Sequence, residues 1–187
     1  MQAADFNAGW AYRHLDADED WTAVTIPHDA MLYEPRHALA ASGLNSGWFE
    51  GRDYEYVKHF MPERDMAGSR MLLEFEGVYH HAEVWVNGEK AAFRPYGYTN
   101  FYVDLTDRVR FGEDNEIRVI ARNADQANSR WYSGAGIYRP VTLWTSPAEH
   151  IAVDGLFVRT IAADPANGTA RIRVEVETTA AGSVHLS

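Results

Sequence analysis

The sequence predicts an all-β fold, an antiparallel β-sandwich or barrel, on the basis of three observations. Short runs of strand-forming residues alternate between apolar and polar positions along most of the 187-residue chain. Turn-forming residues separate these runs at short intervals, as is typical of antiparallel all-β architectures. No segment carries a helical apolar stripe longer than about two turns.

The first predicted strands each pair an apolar face with a more polar one. They are expected at residues 21–27, 53–60 and 70–77. In the third of them, Met71, Leu73 and Phe75 share one face, which we expect to be buried. Leu72 and Glu74 share the other face, which we expect to be partly wet.

The clearest local prediction is a β-hairpin over residues 81–93. Asn87-Gly88 lies between two strand-like runs. This pair favours a type I′ turn, in which both central residues need a positive φ. The hairpin is therefore expected to turn at these two residues.

The remaining predicted strands fall into two groups, separated by a break at Ser146-Pro147-Ala148. Before the break, strands are expected at residues 100–106, 115–123 and 138–145; after it, at 150–162 and 169–179. Two strands do not form a stable domain in water. The last pair therefore either extends the first sandwich or begins a second domain that ends early, and we favour the second alternative.

Composition and charge exclude several classes of function. The net charge of −10 argues against nucleic acid as a partner, because phosphate binding depends on clustered Lys and Arg. The absence of cysteine removes disulfides and thiolate chemistry and fits a reducing compartment. Neither a signal peptide nor an apolar run of about 20 residues is present, so we expect a soluble, cytoplasmic protein without a membrane partner.

The titratable residues do not assemble into a recognisable catalytic or metal centre. His80 and His81 are adjacent, so on a strand they would point to opposite faces and could not chelate one ion. Ser133 lacks the spacing of a nucleophile elbow. Most of the 27 acidic residues lie in strands or turns, where solvation is the ordinary explanation. The sequence predicts no metal site, no evident cofactor and no autonomous enzyme.

Two segments have the composition of a carbohydrate site, which stacks aromatic rings on sugars and binds hydroxyls with polar side chains. They are residues 44–54 and 122–132. The alternative is that Trp48, Trp131 and Tyr132 only fill the rim of the sandwich. The residues themselves leave both interpretations open.

Six motifs in order resemble the N-terminal domain of glycoside hydrolase family 2, which contains β-galactosidases, β-glucuronidases and β-mannosidases. The resemblance covers residues 5–146, and its most specific motifs are GVYHHAEVWVNG and GAGIYRPV. It implies a galactose-binding-domain-like jelly-roll sandwich over residues 1–147. It also implies the first strands of a truncated immunoglobulin-like sandwich over residues 148–187.

The resemblance further implies that the catalytic residues lie elsewhere. In this retaining family, two glutamates of a TIM barrel perform the chemistry, about 5 Å apart. The chain contains no such barrel, so it is expected to hold no catalytic residue and to be inactive alone. The resemblance leaves the oligomeric state of the full enzyme open, and a homo-oligomer is one of the alternatives.

In family members, the loop before the GIYR motif completes the pocket around the terminal sugar. The resemblance therefore suggests Arg130, Asn128, Trp131 and, on an earlier loop, Asn45 as substrate-binding residues. Arg130 departs from the aspartate common in the family, and an arginine could bind hydroxyls or pair with a barrel carboxylate. The motif SRWYSGAGIYR resembles that of β-galactosidase-like members more than that of glucuronidases, so the resemblance favours a β-galactoside as the sugar partner. A β-glucuronidase, an independent carbohydrate-binding module and a purely structural brace are the alternatives.

Overall fold

The computed structural model describes residues 1–124 and 132–185, and its regular secondary structure is almost entirely β-strand. In these ranges the strands are β1 Gln2–Asp5, β2 Trp10–His14, β3 Thr22–Val24, β4 Tyr54–Phe60, β5 Arg70–Phe75, β6 Ala82–Val86, β7 Glu89–Arg94, β8 Phe101–Asp104, β9 Asn115–Ala121, β10 Val141–Ser146, β11 Ile151–Asp164 and β12 Thr169–Thr178. Short 3₁₀ helices occupy Ala30–Tyr33, Gly43–Ser46 and Arg64–Met66. Within residues 1–124 and 132–185, no helix has the length and apolar character required to span a bilayer.

The first ten strands form two antiparallel sheets that pack face to face. One sheet has the order β3-β2-β4-β9-β6-β7, and the other has the order β1-β10-β5-β8. Buried side chains from both sheets form a single apolar core between them. The predicted β-sandwich is therefore confirmed, and its core lies where the inward positions of both sheets meet.

Alternation along each strand decides which side chains enter that core. On β5, Met71, Leu73 and Phe75 are fully buried, as predicted. On the central strand β4, Tyr54 and Tyr56 point into the core, while Glu55 between them faces the other way. The period of two residues in a strand accounts for both patterns.

Glu55 is buried because two arginines cover it on the outer face of the larger sheet. Arg13 Nε donates to its Oε1 at 2.6 Å, and Arg118 Nε donates to its Oε2 at 2.7 Å. The terminal nitrogens of both guanidinium groups also contact the carboxylate. This paired geometry satisfies a charge that would otherwise be costly to bury.

The predicted hairpin is present, and its turn has the predicted conformation. β6 and β7 pair across Asn87-Gly88, whose φ angles are 51° and 84°. Both central residues therefore adopt the positive φ that a type I′ turn requires. A bulge between Val84 and Trp85 shifts the register within the hairpin.

A second compact unit begins at Ser146, while the sandwich is formed by Gln2–Thr145. In this second unit β11 and β12 pair antiparallel as a separate two-stranded sheet. They join neither sheet of the sandwich within the described residues. Its assignment as the start of an immunoglobulin-like domain stays a prediction.

Candidate functional site

Most of the substrate-binding residues suggested by the sequence lie in one segment. Asn128, Arg130 and Trp131 fall outside the described residues. Asn45 is exposed and lies in the 3₁₀ helix Gly43–Ser46, where its backbone N–H donates to Ser42. The described part of the candidate site is therefore the surface formed by the residues on either side of segment 125–131. We call this surface the loop end.

Asp29 anchors the C-terminal side of the loop end. Its Oδ2 accepts a hydrogen bond from the Tyr132 hydroxyl at 2.6 Å, and its Oδ1 accepts one from the Ala135 N–H at 2.9 Å. Oδ1 also caps the helix Ala30–Tyr33 by accepting from the Met31 N–H. One carboxylate thus joins the helix that follows β3 to the returning chain.

Asp53 anchors the N-terminal side in the same manner. Its Oδ1 accepts from the N–H groups of Asn123 and Ala124, at 2.8 and 2.9 Å. Its Oδ2 lies 3.3 Å from Arg122 Nη1, which balances its charge. The two flanks of segment 125–131 are therefore each fixed to the sandwich by an aspartate.

Gly136 lets the returning chain lie directly against the core. Its φ is 87°, and a Cβ atom there would overlap the hydroxyl oxygen of Tyr56. The Tyr56 hydroxyl also lies 2.9 Å from His28 Nδ1. Burial lowers the pKa of His28 and raises that of Tyr56, so this pair stays uncharged near neutral pH.

Aromatic side chains surround this anchored surface. Tyr33 stacks on His28 with ring centroids 5.2 Å apart, and Phe49 contacts the edge of Tyr132 at 5.8 Å. Tyr33, Trp48 and Tyr132 are all exposed to solvent. Burial, followed by the hydrogen bond to Asp29, raises the pKa of Tyr132, which keeps its hydroxyl protonated. Exposed rings beside fixed polar groups can bind a sugar by stacking and hydrogen bonding.

The strand-based argument about the paired histidines is wrong. His80 and His81 precede β6 rather than lying in a strand, His81 has a φ of 46°, and the two rings are 4.4 Å apart. Burial lowers the pKa of His80, and the neighbouring His81 lowers it further. Among residues 1–124 and 132–185, no group of three or more His, Cys, Asp or Glu has a geometry that could hold a metal ion.

Sequence reasoning did not identify the two anchoring aspartates. Asp29 had one usable signal, because an aspartate two residues before Met31 is a typical helix cap. Asp53 had no comparable signal, since its partners Asn123 and Ala124 are some 70 positions away. Such long-range pairing depends on the sheet order, which the alternation of residues does not specify.

Known proteins match this sandwich over most of its length. The profile of the family described as glycosyl hydrolase 2 galactose-binding domain-like matches residues 10–164. A β-galactosidase of Bacteroides ovatus, BoGH2A, is 37% identical over 172 residues, which cover 87% of this chain and 20% of that protein. A putative β-glucuronidase of Formosa agariphila is 28% identical, over 92% of this chain and 18% of that protein.

A solved structure gives the same result at the level of the fold. The crystal structure of a β-glycosidase from Bacteroides vulgatus superposes with a TM-score of 0.84 and 29% identity, covering 95% of this chain and 24% of that one. The chain thus spans about a fifth to a quarter of the length of these relatives. The chain belongs to the galactose-binding domain-like family of glycosyl hydrolase 2.

Proposed function

We propose that this chain is the N-terminal, non-catalytic part of a retaining family 2 glycosidase that releases terminal β-linked galactose. In this proposal the catalytic carboxylates lie in a barrel outside residues 1–187. The β-galactosidase of B. ovatus, at 37% identity, supports galactose as the sugar. The alternative sugar is a glucuronic acid, which the putative β-glucuronidase of F. agariphila supports at lower identity.

The observation that carries the proposed role is the pair of aspartates at the loop end. Asp29 and Asp53 each accept two or more hydrogen bonds from the flanks of segment 125–131. A loop fixed at both ends can hold polar side chains in one place, as a binding site requires. We propose that Asn128, Arg130 and Trp131 form one wall of the sugar pocket, with Asn45 nearby, and that the barrel supplies the rest.

A second candidate is an independent carbohydrate-binding module. The exposed aromatic side chains Tyr33, Trp48 and Tyr132 favour it, because such rings bind sugars without any catalytic partner. It predicts that the chain alone binds galactose with sub-millimolar affinity in a calorimetric titration. One wall of a pocket buries too little of a sugar for such affinity, so the glycosidase proposal predicts no measurable binding.

The test of the proposed role is Tyr132→Phe in the full-length protein. This change removes only the hydroxyl of Tyr132, which donates a hydrogen bond to Oδ2 of Asp29. We expect kcat/KM on an aryl β-galactoside to fall about five- to tenfold. This is less than the full effect of losing a hydrogen bond to a charged group, because Tyr132 is 38% exposed and water can replace part of that bond. Most of the loss is expected in KM, because the loop positions the sugar. Residues 1–187 alone should not hydrolyse the substrate.

Tyr33→Phe is the matched control. Tyr33 is an exposed tyrosine near the same surface, but it contacts His28 through its ring, which phenylalanine retains. Its kcat/KM should equal that of the parent protein. A Tyr132→Phe protein with unchanged kinetics would leave the loop end as a structural brace. A parent protein inactive on β-galactosides but active on β-glucuronides would change the sugar and keep the role.

A further inference from the structure

The outer face of the larger sheet combines cationic and aromatic side chains. We call one region of it the cationic face: Arg13, Arg118, Arg122, Lys90, Trp21 and Trp85. The strand register places Arg13 opposite Glu55, and Trp85 opposite both Arg118 and Lys90. Glu55 and Arg118 contact each other and face away from the core, so these side chains share the outer face.

The carboxylates of this region lie beneath its cations. The side chains of Glu55, Glu83 and Asp53 are only 2% to 21% exposed. The four cationic side chains that pair with them are 30% to 44% exposed. Solvent therefore meets positive charge first, and in this region four cations stand over three carboxylates. The cationic face is thus opposite in sign to the chain, whose net charge is −10.

The arginines of the cationic face are held in place and still have donors to offer. Arg13 and Arg118 each donate from Nε to one oxygen of Glu55. Arg122 donates from Nε to Glu83 at 2.9 Å. In the described ranges, neither Nη1 of Arg13 and Arg118 nor Nη2 of Arg122 donates a hydrogen bond. Each guanidinium is therefore preorganised to donate to a further acceptor, with little entropy lost on binding.

Aromatic rings lie directly beside these cations. The guanidinium carbon of Arg13 is 4.4 Å from the ring centroid of Trp21, and Lys90 Nζ is 5.8 Å from that of Trp85. Trp21 is exposed to solvent. An exposed ring can stack on the apolar C–H face of a pyranose, while the cation beside it binds an acidic group of the same sugar. This combination distinguishes the cationic face from a patch of positive charge alone.

We propose that the cationic face binds a polysaccharide whose sugar units carry carboxylate groups. The contacts with Glu55 show that these arginines hold a carboxylate in paired geometry, and Trp21 supplies a ring for the sugar. Arg118 and Arg122 are four residues apart at the end of β9, a distance of about 13 Å along an extended chain. The face is therefore long enough to contact more than one sugar unit.

The negative charge elsewhere on the chain does not prevent such binding. Exposed charges separated by more than about 8 Å are largely screened at physiological ionic strength. An acidic polymer therefore responds to the cations that it contacts rather than to the net charge. This function goes beyond the proposed hydrolysis, because it holds the protein on a polymer through residues such as Arg13 and Lys90, which are not part of the loop end.

The test is electrophoresis of the full-length protein in native gels that contain polygalacturonate, a polymer of one acidic sugar. We expect this polymer to retard the parent protein, whereas neutral galactan does not. In the double variant Arg13→Gln/Lys90→Gln, Glu55 keeps Arg118 and Glu83 keeps Arg122. We expect the Kd of this variant for polygalacturonate to rise about tenfold, from the loss of two partly exposed charged contacts.

The matched control is Arg159→Gln/Arg173→Gln, which removes the same charge from the second unit. Both arginines are exposed, and both lie near Glu175, so their pairing resembles that on the cationic face. We expect this control to be retarded as strongly as the parent protein. Urea unfolding of every variant checks that the fold is retained. Both double variants should keep the parent kcat/KM on a small β-galactoside, so this readout tests the proposed function separately.

Trp21→Ala is a second variant that leaves every charge of the cationic face in place. We expect it to weaken binding to polygalacturonate about fivefold, because it removes the exposed ring. A parent protein that polygalacturonate does not retard, or equal losses in the two double variants, would overturn the inference. Equal retardation by duplex DNA or by dextran sulfate, or unchanged binding in Trp21→Ala, would also overturn it, because attraction to any polyanion would then explain the binding.

Discussion

At the scale of single residues, Gly136 connects the candidate site to the core. Its positive φ turns the chain toward β4, and the missing side chain leaves room for the Tyr56 hydroxyl. Tyr56 in turn contacts His28, which lies next to the anchoring Asp29. One position without a Cβ atom therefore couples the geometry of the loop end to the packing of the sandwich.

Gly136→Ala is expected to lower the free energy of unfolding by about 3 kcal/mol or more. Strain from a positive φ accounts for about 1–2 kcal/mol, and displacement of Tyr56 adds to it. Gly88→Ala is the matched control, because Gly88 has a similar φ of 84° and nothing within 4 Å of its added Cβ. Urea unfolding of both variants separates the two effects. Equal losses would show that the contact with Tyr56 costs nothing.

These two glycines also show how far the sequence predicts such positions. The turn at Asn87-Gly88 was predictable, because its signal lies within the two residues themselves. The need for glycine at position 136 was not, because it arises from Tyr56, which is distant in sequence. Residues 122–132 were predicted to have the composition of a carbohydrate site, but the aspartates that hold the flanks of segment 125–131 could not be identified from that composition.

At the scale of elements, the hairpin β11–β12 is distinguished by the exposure of its apolar side chains. Apolar side chains on both of its strands are exposed in the described residues: Leu156, Phe157, Val158, Ile161, Ile172 and Val174. Leu156 and Val158 lie opposite Val176 and Val174, which gives the hairpin one continuous apolar face. A two-stranded sheet that buries so little has only marginal stability in water.

Amide hydrogen exchange should therefore divide the chain into two classes. We expect amides in β11 and β12 to exchange about a hundredfold faster, or more, than those in β4 and β9, because the latter strands lie inside a packed sandwich. Mass spectrometry of residues 1–187 measures both classes in one sample. Similar protection in the two regions would show that the hairpin is stable by itself.

The elements themselves were predicted unevenly. Alternation identified β5 and both strands of the last hairpin, whose long runs leave no ambiguity of period. The strands β1 and β2 were not predicted. For β1 the reason is that Gln2–Asp5 carries no alternation of apolar and polar residues. β1 exists because it pairs with β10, so its strand conformation depends on a partner far along the chain.

At the scale of the whole molecule, two buried histidines tie stability to pH. His28 and His80 are both buried, and burial lowers the pKa of each below its ordinary value of 6.5. Above that value both are neutral in the folded and unfolded states, so they add no pH dependence. As the pH falls below it, the unfolded chain takes up protons first, and folding stability decreases.

We expect the free energy of unfolding to fall between pH 7 and pH 5 with a slope of up to about 1.4 kcal/mol per pH unit for each histidine. His28→Gln should reduce this slope, whatever it does to stability at pH 8. His59→Gln is the control, because the side chain of His59 is 56% exposed. Urea titrations at several pH values measure the slopes. An unchanged slope in His28→Gln would contradict the role of its burial.

The two aspartate anchors also have a consequence for how such a protein can change during evolution. Asp29 and Asp53 accept hydrogen bonds from backbone N–H groups and from Tyr132, all on the flanks. None of these contacts requires a particular side chain within segment 125–131. Substitutions there therefore leave both anchors in place, so descendants of one ancestor can acquire different substrate preferences while keeping the same two anchors.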